Sequence, residues 1–120
     1  MLSDIEVAAQ RAITAAFVDA DRFSCTLTRE ERVPDGEGGY TTVISPVDAQ
    51  WLRMVPLQDA TQDRTDATGN VVTPGYMLVG RYSNDIQRGD TFLKEGRQYE
   101  VVFVLENQQY QVKGEVIYLG

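Results

Sequence analysis

The C-terminal third of the chain constrains the fold most strongly, because two segments there alternate apolar and polar residues. The apolar positions are Tyr99, Val101, Phe103 and Leu105 in the first segment and Tyr110, Val112, Gly114, Val116 and Tyr118 in the second. A period of two is that of a β-strand with one buried face, and residues 106–109 suit a hairpin turn between two strands. The inward face of the first strand is either that of Phe103 or that of Val102 and Val104.

Further extended segments make the chain mainly β. They are residues 23–30, 40–45, 47–55, 76–82 and 91–93, joined by turns that contain Gly, Pro, Asn and Asp. Short antiparallel strands of this kind form a small antiparallel β-barrel or a sandwich. We expect Trp51 to be a core anchor, since Trp buries more apolar area than any other side chain. We expect Cys25 to be a buried, unreactive thiol on the same face as Phe23 and Leu27.

Residues 3–20 are predicted to form the one helix of the chain. Ser3 followed by Glu6 makes a capping box, in which each side chain accepts a hydrogen bond from a backbone N–H at the helix start. An apolar stripe recurs at helical spacing and contains Ile5, Ala9, Ala12, Ile13, Ala16, Phe17 and Ala20. This stripe packs either on the sheet of its own subunit or on a neighbouring protein. In the second case the contact residues are Ile5, Ala9, Ile13 and Phe17.

Residues 57–75 are polar and have no period apart from Val71 and Val72. A stretch of this length without structure is unusual inside a compact domain, so we expect a long loop that projects from the barrel and engages a partner or a channel. Its candidate contact residues are Asp59, Gln62, Asp63, Arg64, Asp66 and Asn70. The spacing of the carboxylates lacks the turn Gly and terminal Glu of an EF-hand loop, so no metal site is predicted.

Length, charge and composition exclude several functions. The 120 residues suit a single domain, residues 1–120, in which the loop separates barrel segments 23–56 and 76–119. A formal net charge of −7 opposes binding to nucleic acid, because affinity for phosphate comes from Lys and Arg. The chain has no His and one Cys, so the commonest general base and thiolate metal clusters are absent. We predict no catalytic residue, no cofactor and no membrane span, since every apolar run is too short to cross a bilayer.

Several short motifs resemble those of one viral family. In chain order they are Leu27-Thr28-Arg29, the Gly-rich hairpin at 36–39, the strand at 50–55, Ile86-x-Arg88-Gly89-Asp90-x-Phe92 and residues 96–104. The series resembles the head-closure proteins, or stoppers, and the related adaptors in the head-to-tail connector of tailed bacteriophages. The resemblance spans residues 23–119, and its motifs are short and structural.

The resemblance implies a β-barrel subunit of a structural virion protein. Such subunits form a six- or twelve-fold homo-oligomeric ring below the portal and adaptor, where the ring helps to retain packaged DNA and to join the tail protein. DNA passes through the channel without sequence-specific binding, and the loop at 57–75 is expected to point into the channel or toward a neighbouring ring. The implied location is the neck of the virion, after assembly in the cytoplasm of the bacterial host. The alternatives are a β-barrel protein-interaction module unrelated to viruses and another tail-proximal connector or tail protein of a phage.

Overall fold

An eight-stranded antiparallel sheet forms the body of the protein in the computed structural model, which describes residues 3–57, 62–105 and 108–120. Its strands are β1 (Phe23–Cys25), β2 (Thr28–Pro34), β3 (Tyr40–Pro46), β4 (Gln50–Pro56), β7 (Tyr76–Arg81), β8 (Thr91–Lys94), β9 (Arg97–Val104) and β10 (Gln111–Tyr118), and a separate pair consists of β5 (Arg64–Thr65) and β6 (Val71–Val72). The order across the large sheet is β1-β4-β7-β10-β9-β8-β2-β3. The sheet curls into an open half-barrel. The predicted mainly β class with one N-terminal helix is confirmed.

The predicted strand at 23–30 is two strands in the structure. β1 pairs with β4, whereas β2 pairs with β3 along its whole length. Between the two strands, the carbonyl oxygen of Leu27 accepts a hydrogen bond from the Val47 amide at 2.7 Å. The chain therefore changes its pairing partner at Leu27, which a run of alternating side chains does not reveal.

The single described helix, α1 (Asp4–Ala20), begins where the capping signal predicts. Ser3 is the N-cap, and its Oγ accepts a hydrogen bond from the Glu6 amide at 3.2 Å. The other half of the capping box differs from the prediction, because the Glu6 carboxylate accepts its hydrogen bond from the Ser3 hydroxyl at 3.1 Å. Asp4 and Glu6 also place negative charge at the positive end of the helix dipole.

The helix packs on β4 and β7, on the face of the sheet that carries Arg53, Val79 and Lys113. Thr14 and Val18 are the helix residues buried there, at 6% and 0% exposure. They are four residues apart, so both lie on the same side of the helix. This side is the one that fixes α1 to the sheet.

The concave face of the half-barrel holds the main apolar core. It consists of Cys25, Leu27, Leu52, Leu78, Ile86, Phe92, Tyr99, Val101 and Val116. The ring of Phe92 stacks on Tyr99 at 5.3 Å between centroids, and Tyr76 meets Tyr99 edge-on at 5.6 Å. The predicted burial of Cys25 is confirmed, since its side chain is fully enclosed.

The expectation that Trp51 anchors this core is wrong. Trp51 is 49% exposed, and the Arg22 guanidinium lies 4.3 Å from its ring centroid. Leu52 is fully buried in the core, so strand alternation places its neighbour Trp51 on the opposite face. Ser24, which pairs with Trp51 across β1 and β4, is also exposed.

A β-bulge in β9 changes which side chains face the core. Glu115 pairs with Phe103, but the next pair is Val116 with Val101, so Val102 is an extra residue on β9. Tyr99 and Val101 therefore lie in the core, whereas Phe103 shares a face with Glu115 on the other side. Neither predicted inward face is correct for the whole strand.

The second C-terminal strand keeps its predicted alternation. Val112 and Val116 contact the core, and a Cβ on Gly114 would meet Val101 and Ile86 at 3.1 and 3.2 Å. The described part of the chain contains no helix that is long and apolar enough to cross a membrane.

Candidate interaction surface

Residues 28–46, which we call the arm, form a hairpin that extends from the half-barrel. β2 and β3 pair with each other from Thr28 opposite Pro46 to Pro34 opposite Tyr40, and only Thr28 pairs with the body, through Thr91 of β8. A seven-residue strand spans about 23 Å, so the arm is long compared with the overall dimensions of the molecule, 51 × 31 × 28 Å.

The turn of the arm is fixed by Asp35 and two glycines. Asp35 Oδ1 accepts hydrogen bonds from the amides of Glu37 at 2.7 Å and Gly39 at 3.1 Å. Gly36 and Gly38 have φ values of +83° and +85°, a region that side chains with a Cβ disfavour. The Gly-rich hairpin turn predicted from the sequence is therefore confirmed at this position.

An ion pair holds the base of the arm to the body. Arg29 donates from Nε to Asp90 Oδ1 at 2.9 Å and from Nη2 to Asp90 Oδ2 at 2.8 Å, and from Nη1 to Asp85 at 2.9 Å. Asp90 is 1% exposed and also accepts a hydrogen bond from the Gln87 amide at 2.8 Å. The hydrogen bond to Asp90 is the largest cause that raises the pKa of Arg29, so the pair stabilises the charged guanidinium.

Exposed apolar side chains lie on both faces of the arm. Tyr40 and Ile44 are 63% and 64% exposed on one face, where Ile44 pairs with Glu30. Val33 and Val43 occupy the other face and are also exposed. Clustered apolar groups on an extension that contributes little to the core mark an interaction surface. The turn residues of this hairpin are evident in the sequence, but its exposed apolar faces are not among the sites that the sequence predicts.

The two strands of the arm also differ in charge. β2 carries Arg29, Glu30, Glu31 and Arg32, whereas β3 has no charged residue and is the last strand of the sheet order. Charges on an edge strand oppose pairing with other chains. β3 therefore presents an uncharged edge beside exposed apolar side chains. The lack of charged residues in this strand is the sequence feature from which the surface could have been predicted.

The predicted contact residues of the helix are exposed. Ile5 is 83%, Ile13 61% and Phe17 41% exposed, and Ala9 is exposed as well. Packing of this stripe on its own sheet, one of the two alternatives, is wrong. The buried residues Thr14 and Val18 each follow a stripe residue, and one residue corresponds to a rotation of about 100° around the helix.

A groove of about 390 Å³ runs between the helix and the sheet. Its wall residues include Ile13, Phe17, Val55, Met77 and Lys113, and none of the described residues that line it is acidic. Arg53 borders it, with the guanidinium 4.1 Å from the Phe17 ring centroid and Nη1 donating to the Phe17 carbonyl at 2.9 Å. The groove is thus apolar with a positive rim.

The segment predicted as a projecting loop contains a small hairpin instead. β5 and β6 pair Arg64 with Val72 and Thr65 with Val71. Asp66 closes the turn by accepting hydrogen bonds from Thr68 and from the Asn70 amide. The hydrogen bond from Thr68 is the largest cause that lowers the pKa of Asp66. Asp59 lies outside the described residues.

The same hairpin is fixed to the sheet. Arg64 donates two hydrogen bonds to Glu115 and lies over the Phe103 ring at 3.6 Å from its centroid. Arg88 donates to the Thr65 carbonyl at 2.8 Å, and the Ala67 amide donates to Glu100 at 3.2 Å. The described part of the segment therefore covers the body and does not project from it.

The remaining candidate side chains of this segment make contacts within it. Gln62 accepts a hydrogen bond from Arg64 at 3.3 Å, and Asp63 accepts one from Thr73 at 2.7 Å. The Asn70 side chain donates to the Thr68 hydroxyl at 3.0 Å. Among the described residues, no group of three or more His, Cys, Asp or Glu could hold a metal ion.

No protein-family model and no curated protein matches this chain. Three surfaces of the chain itself are candidate interaction sites: the arm, the exposed helix stripe and the apolar groove beside it.

Proposed function

We propose that this chain is a structural subunit of a ring in the head-to-tail connector of a tailed bacteriophage. The ring lies in the neck of the virion, below the portal or adaptor, and it helps to retain packaged DNA and to join the tail. The observation that carries the proposal is the pair of separate apolar surfaces, one on the arm and one on the helix.

Two different surfaces on one subunit are what a cyclic assembly needs. A heterologous contact joins one patch to a different patch on the next copy, and it closes into a ring when the rotation permits. Tyr40 and Ile44 on the arm and Ile13 and Phe17 on the helix are exposed apolar residues on separate elements. They supply such a pair, in six or twelve copies according to the resemblance of the sequence.

The charge of the chain supports a passive role toward DNA. The formal net charge is −7, and a surface of this sign repels phosphate. DNA would then pass through the channel without sequence-specific binding. The portal or adaptor on one side and the tail protein on the other are the proposed partners.

No catalytic role is proposed, because the buried acids of the described chain have structural partners. Asp90 binds Arg29, Glu115 binds Arg64, and Glu100 accepts the Ala67 amide. A general acid or base must be free to exchange a proton with a substrate. These carboxylates instead hold the arm and the small hairpin in place.

Reconstitution on capsids tests the proposal. Portal-bearing capsids of the phage, mixed with the purified chain, should gain a ring visible by negative-stain microscopy and should lose less DNA. Tyr40→Ser with Ile44→Ser should abolish both effects. Val71→Ser is the control, since Val71 is 73% exposed on the other hairpin. A wild-type chain that stays monomeric and fails to bind these capsids would contradict the proposal.

A second candidate function is a cellular interaction module that binds extended peptides. The uncharged edge of β3 favours it, because free edges accept an added strand through main-chain hydrogen bonds. This candidate predicts binding of an extended peptide by the monomer, with Thr42→Pro weakening it by removing one amide donor. The ring proposal instead predicts loss of assembly from side-chain substitutions on the arm.

A further inference from the structure

We propose that the arm of one subunit inserts its Tyr40 and Ile44 face into the groove between the helix and the sheet of a second copy. This inference rests on the proposed ring and identifies the contact between neighbouring subunits. It concerns two surfaces that the described chain leaves exposed.

The two surfaces match in apolar character. The arm presents Tyr40 and Ile44 at 63% and 64% exposure. The groove presents Ile13 at 61% and Phe17 at 41%, above the half-buried Met77. Burial of apolar surface gives roughly 25 cal/mol per Å², so contact between these side chains is favourable for both copies.

The two surfaces also match in charge. Glu30 lies exposed on the Tyr40 and Ile44 face and pairs directly with Ile44 across the two strands. Arg32 is on the same face and lies over the Tyr40 ring, 5.0 Å from its centroid, whereas Glu31 is on the opposite face. Lys113 lines the groove, Arg53 borders it, and no acidic side chain among the described residues lines it. In a chain with net charge −7, the cations at this groove attract the Glu30 carboxylate, whereas most of the surface would repel it.

The occupant is a second copy because the arm and the groove of one subunit lie apart. The helix covers β4 and β7, whereas the arm leaves the sheet beside β8. No residue of the arm lines the groove of its own subunit. An arm that extends away from the body is therefore placed to reach another molecule.

Disulfide trapping tests the contact directly. Ile44→Cys and Ile13→Cys are prepared as separate variants of the full chain, mixed, and oxidised. Both positions are exposed, so the variants should keep the wild-type melting temperature. The native Cys25 is fully buried, and burial raises its pKa to about 12, so it does not compete.

A mixed disulfide between the two variants is the expected product. The control is Ile44→Cys mixed with Ser83→Cys, which is exposed on a turn away from the groove. An excess of the Ile44→Cys homodimer would mean that arms pair with arms and would overturn the inference. A yield of mixed disulfide no higher than that of the control would overturn it as well.

Charge reversal adds a second readout. Glu30→Lys in the arm variant should lower the rate of mixed disulfide formation about two- to fivefold, the range expected for one exposed ion pair. Lys113→Glu in the groove variant should restore the rate. A matched reversal at Lys94, which pairs with Glu95, should not restore it.

The disulfide-trapping experiment and the capsid experiment test separate claims, so one claim can be rejected while the other is kept. A mixed disulfide without binding to capsids would keep the contact and reject the connector role. Ring formation on capsids without the mixed disulfide would keep the role and reject this contact.

Discussion

Arg64 donates to both carboxylate oxygens of Glu115, from Nε to Oε1 at 3.0 Å and from Nη2 to Oε2 at 3.1 Å. This bidentate pair joins the small β5–β6 hairpin to β10, where Glu115 is only 7% exposed. Two parallel hydrogen bonds between charged groups are stronger and more directional than neutral ones. The pair explains why a polar segment without a hydrophobic period has a fixed place on the sheet.

Removal of Arg64 should destabilise the fold through Glu115. Arg64→Ala leaves the Glu115 carboxylate without its bidentate partner, and an unsatisfied buried acceptor costs about 1–3 kcal/mol. Glu115→Ala in the same protein removes that penalty, so the double variant should lose less stability than the two single variants combined. Urea unfolding of all four proteins measures the difference. Additive losses would show that the two side chains are not coupled.

Gly80 should not tolerate a methyl group. A Cβ there would lie 2.8 Å from Leu52 Cδ2 and 2.9 Å from two atoms of Asn84. Asn84 is held in place, since its Oδ1 accepts from the Arg81 amide at 2.6 Å. Overpacking of this kind costs about 1–3 kcal/mol, so Gly80→Ala should lower the free energy of unfolding by that amount.

Gly75 is the matched control for Gly80. A Cβ on Gly75 would have no atom within 4 Å, and its φ is not positive. Ala restricts the unfolded chain, so Gly75→Ala should be neutral or stabilise by about 0.4–1 kcal/mol. Equal losses for the two variants would disprove the proposed crowding at Gly80.

Cys25 should make stability depend on pH in the alkaline range. Burial, and secondarily the charge of Asp90, raises the pKa of the Cys25 thiol from 9.0 to about 12. The folded state therefore holds this proton more tightly than the unfolded state. The contribution is fully present below pH 9 and is lost as the pH rises toward 12, at about 1.4 kcal/mol per pH unit.

A comparison with Cys25→Ala isolates this effect from other titrating groups. The stability advantage of the wild type over the variant should be constant between pH 7 and 8.5 and should shrink at pH 10 and above. Urea unfolding at several pH values gives both curves. A parallel decline of the two proteins would mean that the thiol is not the group responsible.

The two hairpins should respond differently to deletion. Replacement of residues 32–42 by Asn-Gly shortens the arm, whose side chains there are nearly all exposed, and should leave the melting temperature unchanged. Replacement of residues 65–71 removes Ala67 from Glu100 and displaces Arg64 from Glu115. Loss of partners for two buried carboxylates, at about 1–3 kcal/mol each, should cost about 2–6 kcal/mol. Thermal unfolding measures the melting temperature of both deletion variants. A large decrease for the arm deletion would mean that the arm contributes to the core.

Local patterns predicted the elements of this fold well. The helix, predicted at 3–20, spans Asp4–Ala20 with Ser3 as its cap. The Gly-rich turn and the C-terminal hairpin strands are also where the sequence indicated, because capping, turn chemistry and strand alternation act between residues close in the chain.

The candidate interaction surface could not be predicted from local sequence patterns, because it depends on contacts between residues that are far apart in the chain. The loop candidates Asp63, Arg64 and Asp66 have partners inside the subunit, while the arm, which was not selected, is the exposed extension. No spacing rule predicts that Arg29 binds Asp90, 61 residues away, or that Arg64 binds Glu115, 51 residues away.

The sequence by itself determined the class of the fold, the helix start, the Gly-rich turn at 36–39 and the burial of Cys25, whereas the turn predicted at 106–109 includes residues outside the described ones. Only the tertiary structure decided which faces are inside. One extra residue, Val102, moves Phe103 out of the core. On the helix, Ile13 and Phe17 are exposed, whereas the residues that follow each of them, Thr14 and Val18, are buried. The physical reason is that periodicity defines two opposite faces of a helix or strand but does not say which one is buried. That depends on which other elements pack against it.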